Sequence, residues 1–401
     1  MRSVLTYLQE LRQSERAILF LVGAVQFVNI LDFMMVMPLG PDFAKSLGIP
    51  LSSIGLVGGA YTASAAIAGF AGAFFLDRFD RRTALGVALV GLVVGTAAGG
   101  LAVGLSSLMA ARVIAGAFGG PASSLALSIV ADVVPAERRG KALGAVMSAF
   151  SVSSVLGVPA GLELARLGGW RTPFFVVAAL GLLITIRAVV LLPPLRGHLQ
   201  RMDEHPPLRA LVARPVVRAS YAVTAATMVA GFLLIPNMSS FIQGNQHYPR
   251  ERLGFLYLVG GGLTFGTMRL AGRLVDRHGV MPVAAGATLA LVVITGAWIG
   301  FPTSPIPVVV LFAAFMVANS SRNVAYNALV TRVPKPEERA RFMSIQSTVQ
   351  HLSGAAGAGI SASLLSESPD GALIGLGTVA ALSATLSLMV PVLMARVLGQ
   401  L

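Results

Sequence analysis

The chain contains no cysteine and only three lysines among its 401 residues, and charged side chains make up just 12% of it. Without cysteine there is no disulfide framework, no thiolate nucleophile and no zinc–thiolate site, and the five scattered histidines form no ligand pair at helical spacing. No Gly-x4-Gly-Lys-Ser/Thr loop surrounds Lys45, Lys141 or Lys335, so no loop of that kind cradles a nucleotide phosphate. No metal, no cofactor and no enzymatic activity are therefore expected. A soluble protein carries about 25% charged residues, so half of that charge is missing. What stands in its place is apolar: 55% of the residues are hydrophobic and the mean hydropathy is +0.78. The apolar stretches run about 20–25 residues, the length that crosses ~30 Å of hydrocarbon at 1.5 Å per residue. The composition specifies an all-α membrane protein.

Twelve transmembrane helices can be drawn, at roughly 17–39, 52–76, 83–104, 107–132, 142–165, 173–193, 216–242, 254–275, 280–301, 307–331, 342–365 and 372–395. The long polar segment 194–215, with Pro206-Pro207, reads as a cytoplasmic tether. It separates an N-terminal six-helix bundle, 1–193, from a C-terminal six-helix bundle, 216–401. The first span holds Asn29 and Asp32 and lacks a small-residue cleavage site, so it reads as a retained helix. Ahead of it, Val4, Leu5, Leu8 and Leu11 against Glu10, Arg12 and Arg16 read as a helix lying on the inner leaflet. With the N-terminus inside, twenty-one Lys and Arg fall in inner segments, five in outer segments and four within spans. That bias places both termini in the cytoplasm. The net charge of +13 then marks topology and contact with anionic lipid, not a nucleic-acid footprint.

The two halves repeat. Pro38 matches Pro236, Asp77-Arg78 matches Asp276-Arg277, Val134-Pro135 matches Val333-Pro334, and Gly157 matches Gly357, all at offsets of 198 to 200 residues. Two six-span halves in the same orientation are parallel repeats, an arrangement that places a solute site between the halves near the midplane.

The same landmarks resemble motifs of the major facilitator superfamily, in particular its twelve-span drug:proton antiporters and sugar-efflux permeases. The loop Ala73-Phe-Phe-Leu-Asp77-Arg78-Phe-Asp80-Arg81-Arg82 is similar to the family's Gly-x-Leu-Ala-Asp-Arg-x-Gly-Arg-Arg loop, with Ala73 and Asp80 in place of glycines, Asp tolerating a turn. The second copy, Gly272-Arg-Leu-Val-Asp276-Arg277-His-Gly279, keeps both glycines and loses the basic pair. Arg112-Val-Ile-Ala-Gly116-Ala-Phe-Gly119-Gly120 resembles the fourth-span Arg motif, and Gly157-Val-Pro159-Ala-Gly161 the fifth-span motif associated with antiporters. The resemblance implies the major facilitator fold and a multi-pass place in the inner (cytoplasmic) membrane. It also implies an inter-half latch at the inner surface, formed by Asp77, Arg78, Arg81, Asp132, Gly272, Asp276 and Arg277, with Asp77, Arg81 and Asp132 on helices two and four. Anchoring of those loops to headgroups is the alternative.

Asp32 is the one carboxylate deep in a span, and Arg112 enters at nearly the same depth. A lone charge there costs several kcal/mol, so each must pair or face water. Either Asp32 binds and releases a proton, burial favouring its neutral form and Arg112 its charged form, or the two are a fixed structural pair. In the resembling antiporters a first-span acid and the fourth-span Arg are implicated in coupling. Gln26, Asn29 and Asp32, with Phe33 and Val36, recur at three- and four-residue spacing and line one face of the first helix. Asn237, Gln243, Asn319, Arg322, Asn323, Tyr326, Gln346 and Gln350 make a comparable set in the second half. These positions are candidates for the substrate pocket, against the alternative of helix-packing hydrogen bonds. Arg322 stays charged and attracts an anionic group or neutralises a helix end; Arg269 is near enough to the cytoplasm to snorkel. Gly157, Pro159 and Gly161 permit close approach and bending of the fifth helix.

The leading expectation is a secondary transporter that exports a small organic solute (drug, sugar or metabolite) in exchange for protons by alternating access. Proton-coupled uptake or facilitated diffusion of an anion is the second, and a non-transporting receptor or scaffold the third. The expected partners are a small-molecule substrate, protons and membrane lipids, with no nucleic acid and no second copy of the chain.

Overall fold

The computed structural model describes residues 15–196, 208–300, 306–335 and 338–401, without the side chains of 73–75, 77, 136–137, 139–141, 208–209 and 339–340. The amphipathic segment around Val4 to Leu11 and the central linker at 197–207 lie outside the described residues. The long apolar stretches become helices: α1 (Glu15–Val36), α2 (Ile54–Phe75), α3 (Arg81–Gly100) and α4 (Leu105–Val133). A fifth rod, α5, is assembled from Ala136–Met147, Ala149–Val152, a π-helical turn at Ser153–Gly157 and Val158–Gly168. Then come α6 (Thr172–Leu191), α7 (Pro215–Leu234), α8 (Leu253–His278), α9 (Val280–Gly300), α10 (Val308–Val330), α11 (Arg339–Leu364) and α12 (Leu376–Leu398). A hairpin pairs Ser366–Glu367 with Leu373–Ile374.

Among the described helices ten are long and apolar enough to cross a membrane, against the twelve spans read from the sequence. The two that fall short are α8 and α11, each 26 residues long. Their polar positions include Arg269, Arg273 and Asp276 in α8, and Arg341, Gln346 and Gln350 in α11. These side chains lower the hydropathy of both helices, Arg269, Arg273 and Asp276 being exposed and Gln346 buried; α8 lies against α5 and α11 against α2.

Those two contacts join the helices before the linker to the helices after it. Within the first set, α4 packs on α1, α2 and α3; within the second, α7 packs on α11 and α12, and α10 on α8 and α9. Small residues let the two sets meet closely. A Cβ on Gly55 would lie 3.0 Å from the Ala358 carbonyl oxygen, and one on Gly261 3.1 Å from that of Ser154. The first contact joins α2 to α11 and the second joins α8 to α5, each the other's repeat mate at an offset of about 200 residues.

Prolines set the breaks. Pro38 follows the end of α1, and Pro236 turns α7 into a 3-10 segment, Ile235–Asn237, followed by a π-helical turn at Phe241–Asn245. Pro159 lacks an N–H, which removes the partner of the Val155 carbonyl and explains the widened turn just before it. At the end where α1 starts, Asp80 adopts φ −55° and ψ 126°, so it does not fill its glycine's place by tolerating a turn. Its carboxylate instead accepts from the Arg82 backbone N–H and caps α3. Arg81 opens α3 rather than belonging to the second or fourth helix.

Candidate functional site

The α4 glycines build the site by what they leave out. A Cβ on Gly116 would sit 2.2 Å from the Tyr61 carbonyl oxygen, and one on Gly119 2.4 Å from the Tyr61 hydroxyl, so only bare backbone lets α2 press against α4 here. On the other side a Cβ on Gly95 of α3 would meet the Ala115 nitrogen at 2.5 Å. With α2 and α3 drawn in, three side chains converge on Asp32 of α1.

Asp32 is 0% exposed and Arg112 1%. The guanidinium holds the carboxylate bidentately, Nη1 donating to Oδ1 at 3.0 Å and Nη2 to Oδ2 at 2.9 Å. The Thr96 hydroxyl lies 2.8 Å from Oδ1. Tyr61 lies beneath the guanidinium, its ring centroid 4.7 Å from the Arg112 Cζ. The Tyr61 hydroxyl donates to Asn29 Oδ1 at 2.6 Å, and Asn29 Nδ2 donates to the Gly119 carbonyl at 2.8 Å. Phe33 stacks tilted on Tyr61 at 5.3 Å and faces Phe232 of α7 at 6.2 Å, carrying the aromatic contact across to the second set of helices. Thr96 and Tyr61 were not singled out from the sequence. The available signal for Thr96 is a hydroxyl deep in the Gly/Val-rich α3, away from Thr83 at the start of the helix.

The sequence-derived polar stripe of α1 is therefore divided. Asn29 and Asp32 are enclosed by α2, α3 and α4, and Gln26 is buried with its Oε1 unpartnered. Phe33 is half-buried and reaches toward α7, whereas Val36, 1% exposed, belongs to the apolar core and not to a pocket wall.

In the second set, Thr224 of α7, not singled out from the sequence, joins two of the expected residues, and Tyr326 brings in a third. The Thr224 Oγ1 accepts from the Tyr326 hydroxyl at 3.1 Å and from Gln346 Nε2 at 2.6 Å, while Gln350 Nε2 reaches the Tyr326 hydroxyl at 3.3 Å. Arg322, 1% exposed, donates to Ser387 Oγ at 2.9 Å and to Asn319 Oδ1 at 3.0 Å. Asn323, its neighbour, is half-buried with Oδ1 unpartnered. Asn237 stands apart on Ser361, at 3.0 Å, and Gln243 turns back to the Ser239 carbonyl at 3.4 Å.

Of the expected latch, Arg81 and Asp132 meet at 3.3 Å, but both belong to the first set of helices. Arg78, Asp276 and Arg277 are exposed, a Cβ on Gly272 would meet nothing within 4 Å, and the Asp77 side chain lies outside the described residues. Between the two sets, Ser151 Oγ on α5 lies 3.9 Å from Met268 Sδ on α8, and an ion pair joins the sets at the opposite end. There Arg250 grips Asp42, with Nη2 to Oδ2 at 2.5 Å and Nε to Oδ1 at 2.6 Å, and the Leu51 N–H donates to Glu367 at 2.8 Å. On α5, Gly157 lets Leu31 of α1 approach to 2.7 Å of where a Cβ would be; Pro159 follows the π-helical turn and Gly161 lies beside Met35.

A family model described as Major Facilitator Superfamily matches residues 22–358. A chloramphenicol resistance protein of Streptomyces lividans is 26% identical over 275 residues, covering 68% of this chain and 70% of that protein. An uncharacterised MFS-type transporter of Mycobacterium tuberculosis is 34% identical over 180 residues, 44% of this chain and 31% of that protein. The match to one of Bacillus subtilis, at 25% identity, covers 66% and 64%. The chain thus spans under a third of the first of these two MFS-type relatives and just under two thirds of the second. Among solved structures, a D-xylose-proton symporter superposes with a TM-score of 0.73 at 17% identity, covering 94% of this chain and 95% of that one. A bacterial homologue of the human lysosomal transporter Spinster, inward-facing and occupied, gives 0.72 at 17% identity over 96% of both chains.

Proposed function

The chain belongs to the Major Facilitator Superfamily of multi-pass membrane transporters, and on that footing we propose that it exports a small organic solute in exchange for protons. In this reading twelve helices cross the inner membrane, two six-helix bundles flank the 194–215 linker, and both termini lie in the cytoplasm. The basic end, with Arg81 and Asp132, is then cytoplasmic, and the Arg250–Asp42 end faces out. The chloramphenicol resistance protein among the relatives favours export.

The enclosed Asp32–Arg112 pair carries the proposal. A carboxylate without access to water must keep a counter-charge or take up a proton. Protonating Asp32 releases Arg112, and with it the Tyr61–Phe33 contact that leans on Phe232 of the other bundle. Proton occupancy is thereby linked to contact between the bundles, which is what exchange by alternating access requires. The closed Arg250–Asp42 end fits a state sealed on the outside. The latch set of Asp77, Arg78, Arg81, Asp132, Gly272, Asp276 and Arg277 would close the cytoplasmic end in the alternate state.

The test uses proteoliposomes with an imposed pH gradient and a solute panel that includes chloramphenicol and D-xylose. Solute addition should dissipate the gradient with wild type and fail to do so with Asp32→Asn. Unimpaired proton movement in the variant would remove Asp32 as the carrier.

A further inference from the structure

Arg322 is the second guanidinium sealed inside the bundle, and its situation is opposite to that of Arg112. Both are 1% exposed, and both have a buried Nε without a hydrogen-bond partner. Arg112, however, is neutralised by Asp32. Arg322 has only the neutral oxygens of Ser387 and Asn319, and no carboxylate pairs with it among the described residues. The sequence offers none nearby. After residue 215 the acids are Glu251, Asp276, Glu337, Glu338, Glu367 and Asp370, and those among the described residues lie at helix ends or in connections. The repeat supplies none either: at an offset of 199 residues Asp32 corresponds to Gly231 and Arg112 to Leu311, while Thr96 corresponds to Thr295, whose hydroxyl is buried without a partner.

A guanidinium cannot shed its proton to escape this burial. Neutral hydrogen bonds satisfy individual N–H groups but leave the charge uncompensated in a low-dielectric interior. The unpartnered Nε shares an edge with Nη2, and this edge presents two parallel N–H groups at the spacing of a carboxylate's oxygens. Nη2 is also tied to Asn319, which is only half-buried and so links the sealed cation to the accessible face of α10. We propose that Arg322 is the receptor for a carboxylate group of the transported solute, docked on its Nε–Nη2 edge. The proposal rests on the reading of the chain as a solute transporter and narrows it to solutes with a carboxylate; it does not depend on the direction of transport or on Asp32.

The experiment measures thermal unfolding of the purified full-length protein in detergent, titrated separately with sodium formate, sodium chloride and formamide, the last a neutral isostere of formate. Formate is expected to raise the melting temperature saturably, chloride to do so less, and formamide not at all. Arg322→Gln should weaken the formate response at least tenfold. Because Arg322→Gln can itself impair folding, Asn319→Asp is the second variant. It places a carboxylate where the guanidinium already donates, and should abolish the formate response while raising the resting melting temperature. No response of wild type to formate, a chloride response equal to or larger than that of formate, or a formate response retained in Asn319→Asp would each overturn the proposal; equal chloride would identify a resident halide instead. Loss of formate binding alone therefore strikes this inference, whereas loss of solute-driven proton movement alone strikes the exchange reading.

Discussion

A charge pair fully withdrawn from water is stable only as a pair. Removing one partner of a buried ion pair leaves the other uncompensated and costs about 3–5 kcal/mol. Arg112→Gln should therefore lower stability by about that much, and combining it with Asp32→Asn should recover most of the loss, as read from thermal unfolding of both variants. Thr96→Val tests a smaller contribution, the hydroxyl on the carboxylate, expected at about 1.5–3 kcal/mol for a hydrogen bond to a charged group. The pair itself was legible in the sequence, because an acid and an arginine inside apolar spans have few alternatives. Its third and fourth members were not: Thr96 and Tyr61 have ordinary side chains whose meaning comes from which helix face meets which. Asp80 shows the same limit at the basic end. Burial alone would raise its carboxyl, but the Arg82 N–H, the Arg196 side chain and the Leu195 and Thr83 N–H groups more than offset this and hold it below the ordinary aspartate value of 3.8. A depressed carboxyl stabilises the fold above its unfolded value and ceases to do so as pH falls through its folded value. Asp80→Ala should thus cost about 1 kcal/mol near neutrality, and the difference from wild type should shrink from pH 3.8 downward in acid unfolding.

The helices obey two different instructions, and only one of them is written as hydrophobicity. Ten of the described helices announce themselves by apolar length, while α8 and α11 are diluted by polar side chains. A reading that uses connections and charge draws twelve spans, whereas hydropathy alone finds ten among the described helices. Proline breaks at Pro38 and Pro236 were legible because the ring removes a donor wherever it stands. Glycine is the ambiguous signal, since its role depends on the neighbour it admits. Gly116→Ala should cost several kcal/mol, its Cβ falling 2.2 Å from both the Tyr61 carbonyl oxygen and the Ser64 hydroxyl. Gly144→Ala, on an exposed helical face with nothing within 4 Å, should instead gain about 0.5–1 kcal/mol. Melting temperatures of the two variants, measured side by side, check both signs.

The repeat is a whole-molecule property that a 199-residue offset makes readable, and the proposed orientation and division of the chain rest on it and on the placement of arginines. Which end is closed is not readable in this way, because Asp42 and Arg250 lie 208 residues apart and carry no shared motif. Their contact predicts a shift in accessibility. The cysteine-free chain lets one introduced cysteine, Phe33→Cys, report alone to a membrane-impermeant maleimide added from outside. Labelling should rise severalfold in Arg250→Ala and return toward wild type when the charges are exchanged as Asp42→Arg with Arg250→Asp. Unchanged labelling would show that this pair does not hold the end shut. The single enclosed carboxylate sets a ceiling of another kind. With Asp32 the one fully buried acid among the described residues, the proposed exchange would move at most one proton per cycle through that carboxylate. At 100 mV and one pH unit that proton delivers about 3.7 kcal/mol, enough to concentrate a neutral solute roughly 500-fold. A solute leaving with one negative charge moves down the same voltage and raises the limit to about 6 kcal/mol, on the order of 10⁴-fold. The steady-state gradient of a transported solute therefore reads out, from outside the molecule, both the number of acids at its centre and the charge of what passes them.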